Sequence, residues 1–277
     1  MKICIIQIFI VILQQNLHIN NMEQEVIYKE SFIDLLKDFS SGDGNDYIGQ
    51  GNPNSSILII GREHGFSKES DTYRLEVLDN HAQWLRITKG ETFSELGYDP
   101  MTCFEQRRQE FRHGDTSPTW YVYQKIVNAV CPHEMQAGKT APLLDFFKYS
   151  FITEFSTASR PNNSNNSEKD INATQNSINA RTPLLSAEFY KSFPLVILAC
   201  GRYFDDYGID IERMFDVKWK GETDFVKLGD GKRVWLNVHY SSDHKRVVVH
   251  TCQASYIARR KEQDYQPFLD FIAKLKS

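Results

Sequence analysis

The sequence predicts an α/β fold: a three-layer sandwich around a central, mainly parallel four-stranded sheet, with a small hairpin excursion. Three observations predict it. Short β-branched apolar runs recur at residues 57–60, 195–200 and 247–249, as in strands buried on both faces. Segments with apolar residues at helical spacing separate them, which implies parallel strands joined by crossover helices. Strand-like runs end in glycine, acid or imidazole, and ligands bind beyond the carboxyl ends of strands in open α/β sheets.

Residues 31–39 read as a helix with Phe32, Leu35, Leu36 and Phe39 on one face, closed by Ser40-Ser41-Gly42-Asp43-Gly44-Asn45. Asn52 and Pro53 form a turn before the first strand, residues 57–60, and Gly61 and Gly65 then bracket Arg62, Glu63 and His64 in a loop. Leu75, Leu78, Ala82 and Leu85 recur at helical spacing within residues 70–89. Ser117-Pro118 is a helix start, a serine cap with proline at the first helical position. That helix carries Trp120, Tyr123, Val127 and Val130 on one stripe and stops at Cys131-Pro132. Residues 149–155 read as the second strand, ending at Glu154 and Phe155.

Residues 157–183, rich in Asn and Ser, read as a long exposed insertion within a single domain. A short helix at 186–193 leads to the third strand, 195–201. A hairpin spans 221–238 with Gly229-Asp230-Gly231-Lys232 at its turn, the last strand ends at His250, and a final helix covers 265–275. No internal repeat is present.

The 277 residues are 41% hydrophobic and 25% charged, which suits one large domain or two small ones. A formal net charge of -4 gives no global field for nucleic acid, so any such binding needs a local patch. The five cysteines are dispersed and form no C-x-x-C, which argues against a zinc site or an iron–sulfur cluster, and no metal or cofactor is expected. Reduced thiols and a cytoplasmic location fit that usage. The apolar residues 3–13 are too short to span a bilayer. They lack a small-x-small cleavage pattern, and Met22-Glu23-Gln24-Glu25 resembles a more ordinary soluble start. Residues 1–21 are therefore read as an over-extended start and 22–277 as the domain, with export as the alternative.

Polar groups fall at three strand ends: Glu63 and His64, then Glu154, then His250. Carboxylate and imidazole facing each other across a crevice can activate water or stabilise a developing charge. No G-x-S-x-G elbow and no P-loop lysine motif occurs, which argues against a serine triad and nucleoside-triphosphate hydrolysis.

The stretch Gly49-Gln50-Gly51-Asn52-Pro53-Asn54 through Ile60-Gly61-Arg62-Glu63-His64-Gly65 resembles the first motif of the uracil-DNA glycosylase superfamily, a strand ending in Gly-x-(Asp/Asn/Glu/Ala)-Pro. Phe151-Ile152-Thr153-Glu154 resembles its second strand, which ends in a base-reading Asn, and residues 194–201 its third. His250-Thr251-Cys252-Gln253-Ala254-Ser255 resembles its His-Pro-Ser-Pro-x-Ser signature. The resemblance covers residues 45–275 without the insertion. It departs at His64 and Thr251, where the family has proline, and at Glu154.

The resemblance implies that Glu63 positions the attacking water and that His250 stabilises charge on the departing base. It implies base contacts from Gly61, Arg62, His64, Glu154, Phe155, Gln253 and Ser255, and phosphate contacts from Arg259, Arg260 and Lys261. An ionised Glu154 offers only acceptors, which suits a ligand edge with two N–H donors.

Each residue also has a plainer role: Glu63 a helix-start carboxylate, His64 a structural or rim residue, Glu154 a salt-bridge partner at the sheet edge. Trp120 and Tyr123 read as core, and Tyr121, off their stripe, as a pocket wall. Arg259–Lys261 and the group Arg107, Arg108 and Arg112 read equally as solvated helix faces. The expected function is hydrolysis of an N-glycosidic bond of a damaged or unusual base. The alternative is an inactive nucleic-acid or nucleotide-binding module on the same fold. The expected partner is nucleic acid or a nucleobase ligand, with no membrane, and a monomer by default.

Overall fold

The run Ile57-Leu58-Ile59-Ile60 has no polar side chain to face water, and it forms the centre of the sheet. The computed structural model describes residues 26–39, 44–64, 71–96, 100, 118–131, 145–159 and 167–276. The expectations for residues 1–21, 40–43, Gly65, Arg107, Arg108, Arg112, Ser117 and Pro132 lie outside them.

Helix α1 (Glu30–Asp38) buries Phe32, Leu35 and Leu36. Strand β1 (Gln50–Gly51) and strand β2 (Ile57–Glu63) follow. A π-helical turn, Arg74–Leu78, leads into α2 (Asn80–Ile87). Helix α3 (Pro118–Val130) and β3 (Phe151–Ser156) come next, then α4 (Glu168–Leu185) and β4 (Leu195–Leu198). After the short helices α5 (Tyr203–Tyr207) and α6 (Ile211–Phe215), β5 (Lys218–Lys227) and β6 (Arg233–Tyr240) form a hairpin. Strand β7 (Val247–Thr251), α7 (Ala254–Ala258) and α8 (Gln266–Lys276) close the described chain.

The sheet is seven-stranded and mixed, in the order β1-β3-β2-β4-β7-β6-β5. Its four neighbouring strands β3, β2, β4 and β7 are parallel; β1, β6 and β5 run antiparallel to their neighbours. The sheet is thus larger than the four strands expected. The hairpin is not an excursion from it: β6 pairs with β7 from Leu236↔Thr251 to Tyr240↔Val247. Alternation sorts the apolar side chains into two cores. Ile57, Ile59, Ile152, Ile197 and Val249 pack beneath α3, α7 and α8; Leu58, Ile60, Phe151, Leu198 and Val248 pack beneath α1, α2 and α4. Trp120 and Tyr123 join the first of these cores. No helix among the described residues is long and apolar enough to cross a membrane.

Residues 160–166 of the Asn/Ser-rich segment lie outside the described residues; the rest is not the open loop its composition predicts. From Glu168 onward it is the 18-residue helix α4, whose Ser167 cap accepts from the Asp170 amide at 3.2 Å. Thr174, Ser177, Ile178, Arg181, Leu184 and Leu185 form its buried face. Half of that face is polar, so hydrogen bonds rather than apolar area seat it, and a hydrophobic periodicity does not detect it. Ser177 accepts from the Thr157 amide at 2.9 Å, and Arg181 reaches the carbonyls of Asn45 and Glu154 at 2.9 and 3.1 Å.

Candidate functional site

Strand β2 does not end at Gly61. Pairing with β3 continues through Gly61↔Glu154 to Glu63↔Ser156. Glu63 therefore sits on the last strand residue and not in a loop or at a helix start. Its side chain is 4% exposed; Oε2 accepts from the Tyr203 hydroxyl at 2.7 Å and lies 3.4 Å from Arg62 Nε. Burial and the adjoining carboxylate push the Tyr203 phenol well up, so it remains a donor. Arg62 lies over the Tyr203 ring at 4.8 Å. With its amide oxygen turned toward Arg62, Gln253 accepts from Nε at 3.0 Å, and its other amide atom lies 3.4 Å from Ser255 Oγ. An acid and a base at the end of β2 and a phenol beyond the end of β4 thus hold one another.

Glu154, level with Gly61, places its carboxyl over the glycine Cα. A Cβ at Gly61 would fall closer to Glu154 Oε2 than real Cβ contacts come, so a side chain there would displace the Glu154 carboxyl. Oε2 is buried with no hydrogen-bond partner among the described residues. Burial, and then the nearby Glu63 charge, raise the Glu154 pKa to about 8, against the opposing pull of Arg181 and Arg62. At neutral pH Glu154 is a carboxylic acid beside a carboxylate. In that form it differs from the acceptor-only side chain expected, because the neutral acid carries a donor as well as an acceptor.

Arg181 is fully buried. Besides the two carbonyls it donates to Thr153 Oγ1 at 3.2 Å, and its guanidinium lies 5.4 Å from the Tyr47 ring centroid. His64 packs edge-on against the same ring at 4.8 Å. Burial, then Arg181, pushes its pKa down to about 3, so it is a neutral interior histidine.

His250 does not join the carboxyl pair. It is level with Leu198, which is level with Ile60, so it projects from the face opposite Glu154. Its ring lies between Phe204 and Trp235, at 4.4 and 4.8 Å, and Nε2 lies 2.7 Å from the Gly201 carbonyl. Burial lowers its pKa to about 4, so the ring is neutral and Nε2–H donates. Gly201 takes φ +61, and that turn aims its carbonyl.

Two further placements bear on the expected contacts. Phe155 is core, edge-on to Phe204 at 4.9 Å, because alternation turns it into the sheet interior. Arg260 forms an ion pair with Asp230 at 3.2 Å and lies over the Tyr256 ring at 4.0 Å. Arg259 and Lys261 are exposed. Tyr121 is half-buried on α3.

Sequence reasoning missed Arg181 and Tyr203. Tyr203 had a usable signal, two residues past the glycine that ends the third strand; Arg181 sat in a segment set aside for its composition. No cluster of three metal-binding side chains occurs among the described residues.

Fold and site together define an α/β protein with a coupled carboxyl pair at the carboxyl edge of its parallel strands. Compared with known proteins, the chain matches no protein-family model and no curated protein.

Proposed function

We propose that the chain is a uracil-DNA glycosylase-like protein that hydrolyses the N-glycosidic bond of a damaged or unusual base. The observation that carries this reading is the Glu63 carboxylate, fixed by Tyr203 and Arg62 beside the neutral Glu154 acid. The parallel core β3-β2-β4-β7, covered by helices on both faces, supports it. Glu63 takes a proton from the attacking water as its oxygen bonds to the sugar carbon. The base departs with the electron pair of the broken C–N bond and takes a proton from solvent, and Glu63 returns its proton to solvent. Glu154, with one donor and one acceptor, offers a base edge the same pair of groups as the amide it replaces.

The protein is incubated with duplex and single-stranded oligonucleotides carrying uracil, hypoxanthine or xanthine, then treated with alkali. Scission that disappears in Glu63→Gln supports hydrolysis. No scission on any substrate at enzyme excess rejects it.

A second reading, a binding module without catalysis, is favoured by one observation: the His250 donor is spent on Gly201, on the face away from Glu154. It predicts salt-sensitive binding to nucleic acid that survives Glu63→Gln.

A further inference from the structure

Next to the carboxyl pair, a cleft of about 430 Å³ opens between the turn after β4, the start of β6 and the segment leading into α7. That volume lies within the roughly 300–1,000 Å³ of small-molecule sites. Its charged lining is Arg62, Arg202, Arg233 and Asp206, and its rings are Tyr203, Trp235 and Tyr256. Glu63 offsets Arg62. Arg202 and Arg233 are exposed and form no ion pair with any described residue, so the cleft carries surplus positive charge beside aromatic surface. One side of Tyr256 is covered by Arg260, which stiffens it; Trp235 is braced by His250. The position of His250 is thereby explained: it supports the cleft wall from behind.

Guanidinium groups bind phosphate through forked N–H donors, and aromatic faces stack on bases whatever the sequence. We propose that this cleft is a nucleoside-phosphate subsite, with the ring against Trp235 and Tyr256 and the phosphate on Arg202 and Arg233. The inference deepens the nucleic-acid reading and rests on it for the identity of the ring. The phosphate belongs either to a free nucleotide or to a single strand; a volume of this size holds about one nucleotide.

The full chain is titrated with a nucleoside 5′-monophosphate, the matching nucleoside, inorganic phosphate and a short single-stranded oligonucleotide, following heat release and tryptophan fluorescence. The phosphorylated probes are expected to bind at least about tenfold tighter than the nucleoside or phosphate alone, as charge-assisted contacts imply. Arg202→Ala/Arg233→Ala is expected to remove that advantage, and Tyr256→Ala to weaken the nucleotide while leaving inorganic phosphate unchanged. Both arginines are exposed, so the double variant retains the fold.

Equal affinity for nucleoside and monophosphate overturns the proposal. So does binding in the double variant equal to that of the parent, or no binding of any phosphorylated probe. Tighter binding of the oligonucleotide, with the same sensitivity to substitution, assigns the site to polymer; equal binding assigns it to the free nucleotide. Monophosphate binding without base release retains this inference and defeats hydrolysis. Base release with no effect of the double variant does the reverse.

Discussion

The Tyr203 hydroxyl donates to Glu63 Oε2 at 2.7 Å, tying the end of β2 to the start of α5 across 140 residues of sequence. A hydrogen bond to a charged acceptor contributes about 1.5–3 kcal/mol. Tyr203→Phe is therefore expected to lower urea stability by about that amount and to slow base release by leaving Glu63 held by Arg62 alone. An unchanged denaturation midpoint would mean that the phenol does not position the acid.

Gly61 and Glu154 are matched in a different way: the Glu154 carboxyl occupies the space a side chain at Gly61 would need. Gly61→Ala is expected to cost roughly 1–3 kcal/mol, as overpacking does. The informative measurement is the double-mutant cycle. In a Glu154→Ala background the obstructing atoms are gone, and the alanine penalty should fall toward zero. An equal penalty in both backgrounds would place the strain elsewhere.

Glu154 also sets a pH dependence. Its folded pKa of about 8 lies above the ordinary carboxyl value of 4.5. The folded state therefore holds a proton that the unfolded chain releases. The stability this contributes is complete below about pH 4.5 and is lost as pH rises toward 8. Glu154→Gln removes the titration, so its stability relative to the parent should rise across that window, by at most about 1.4 kcal/mol per pH unit. Parallel pH profiles for parent and variant would show that Glu154 is ionised in the fold.

Arg181 is the interior counter-charge. Arg181→Met leaves the carbonyls of Asn45 and Glu154 and the Thr153 hydroxyl without their donor. Breaking a buried charged network typically costs about 3–5 kcal/mol. The loss of positive charge should also raise the His64 pKa, since Arg181 is the second cause of its depression. Histidine ring shifts followed by NMR across pH 3 to 7 would register the change. A static His64 titration would separate it from Arg181.

What the sequence made legible was whatever apolar burial dictates. The runs at Ile57, Leu195 and Val247 can only be interior strands, and their order fixed the carboxyl edge on which Glu63 and Glu154 lie. The segment holding α4 stayed hidden because its buried face is Thr174, Ser177 and Arg181, whose burial depends on partners as remote as Asn45. The placing of Glu63 and His250 as working partners failed for a reason of parity. Glu63 and His250 lie on strands separated by β4 and project from opposite faces, and β2 runs three residues further than expected, which changes the side chain that crowns it. Tyr203, Trp235 and Tyr256 lie on separate elements, and their convergence follows from strand order rather than from any local pattern.

His250 offers the clearest separation between a chemical and a supporting role. Its Nε2–H is spent on the Gly201 carbonyl, and its ring fills the space between Phe204 and Trp235. His250→Phe preserves the ring and removes the donor. The expected result is a stability loss of about 1 kcal/mol with base release retained. A histidine acting on the departing base would instead cost about 10²–10⁴-fold in rate. The pH profile gives an independent check. The folded pKa of about 4 lies below the ordinary 6.5, so this contribution is complete above about pH 6.5 and is lost as pH falls toward 4. His250→Phe should flatten that acid limb. Loss of base release with the limb unchanged would return His250 to the chemistry.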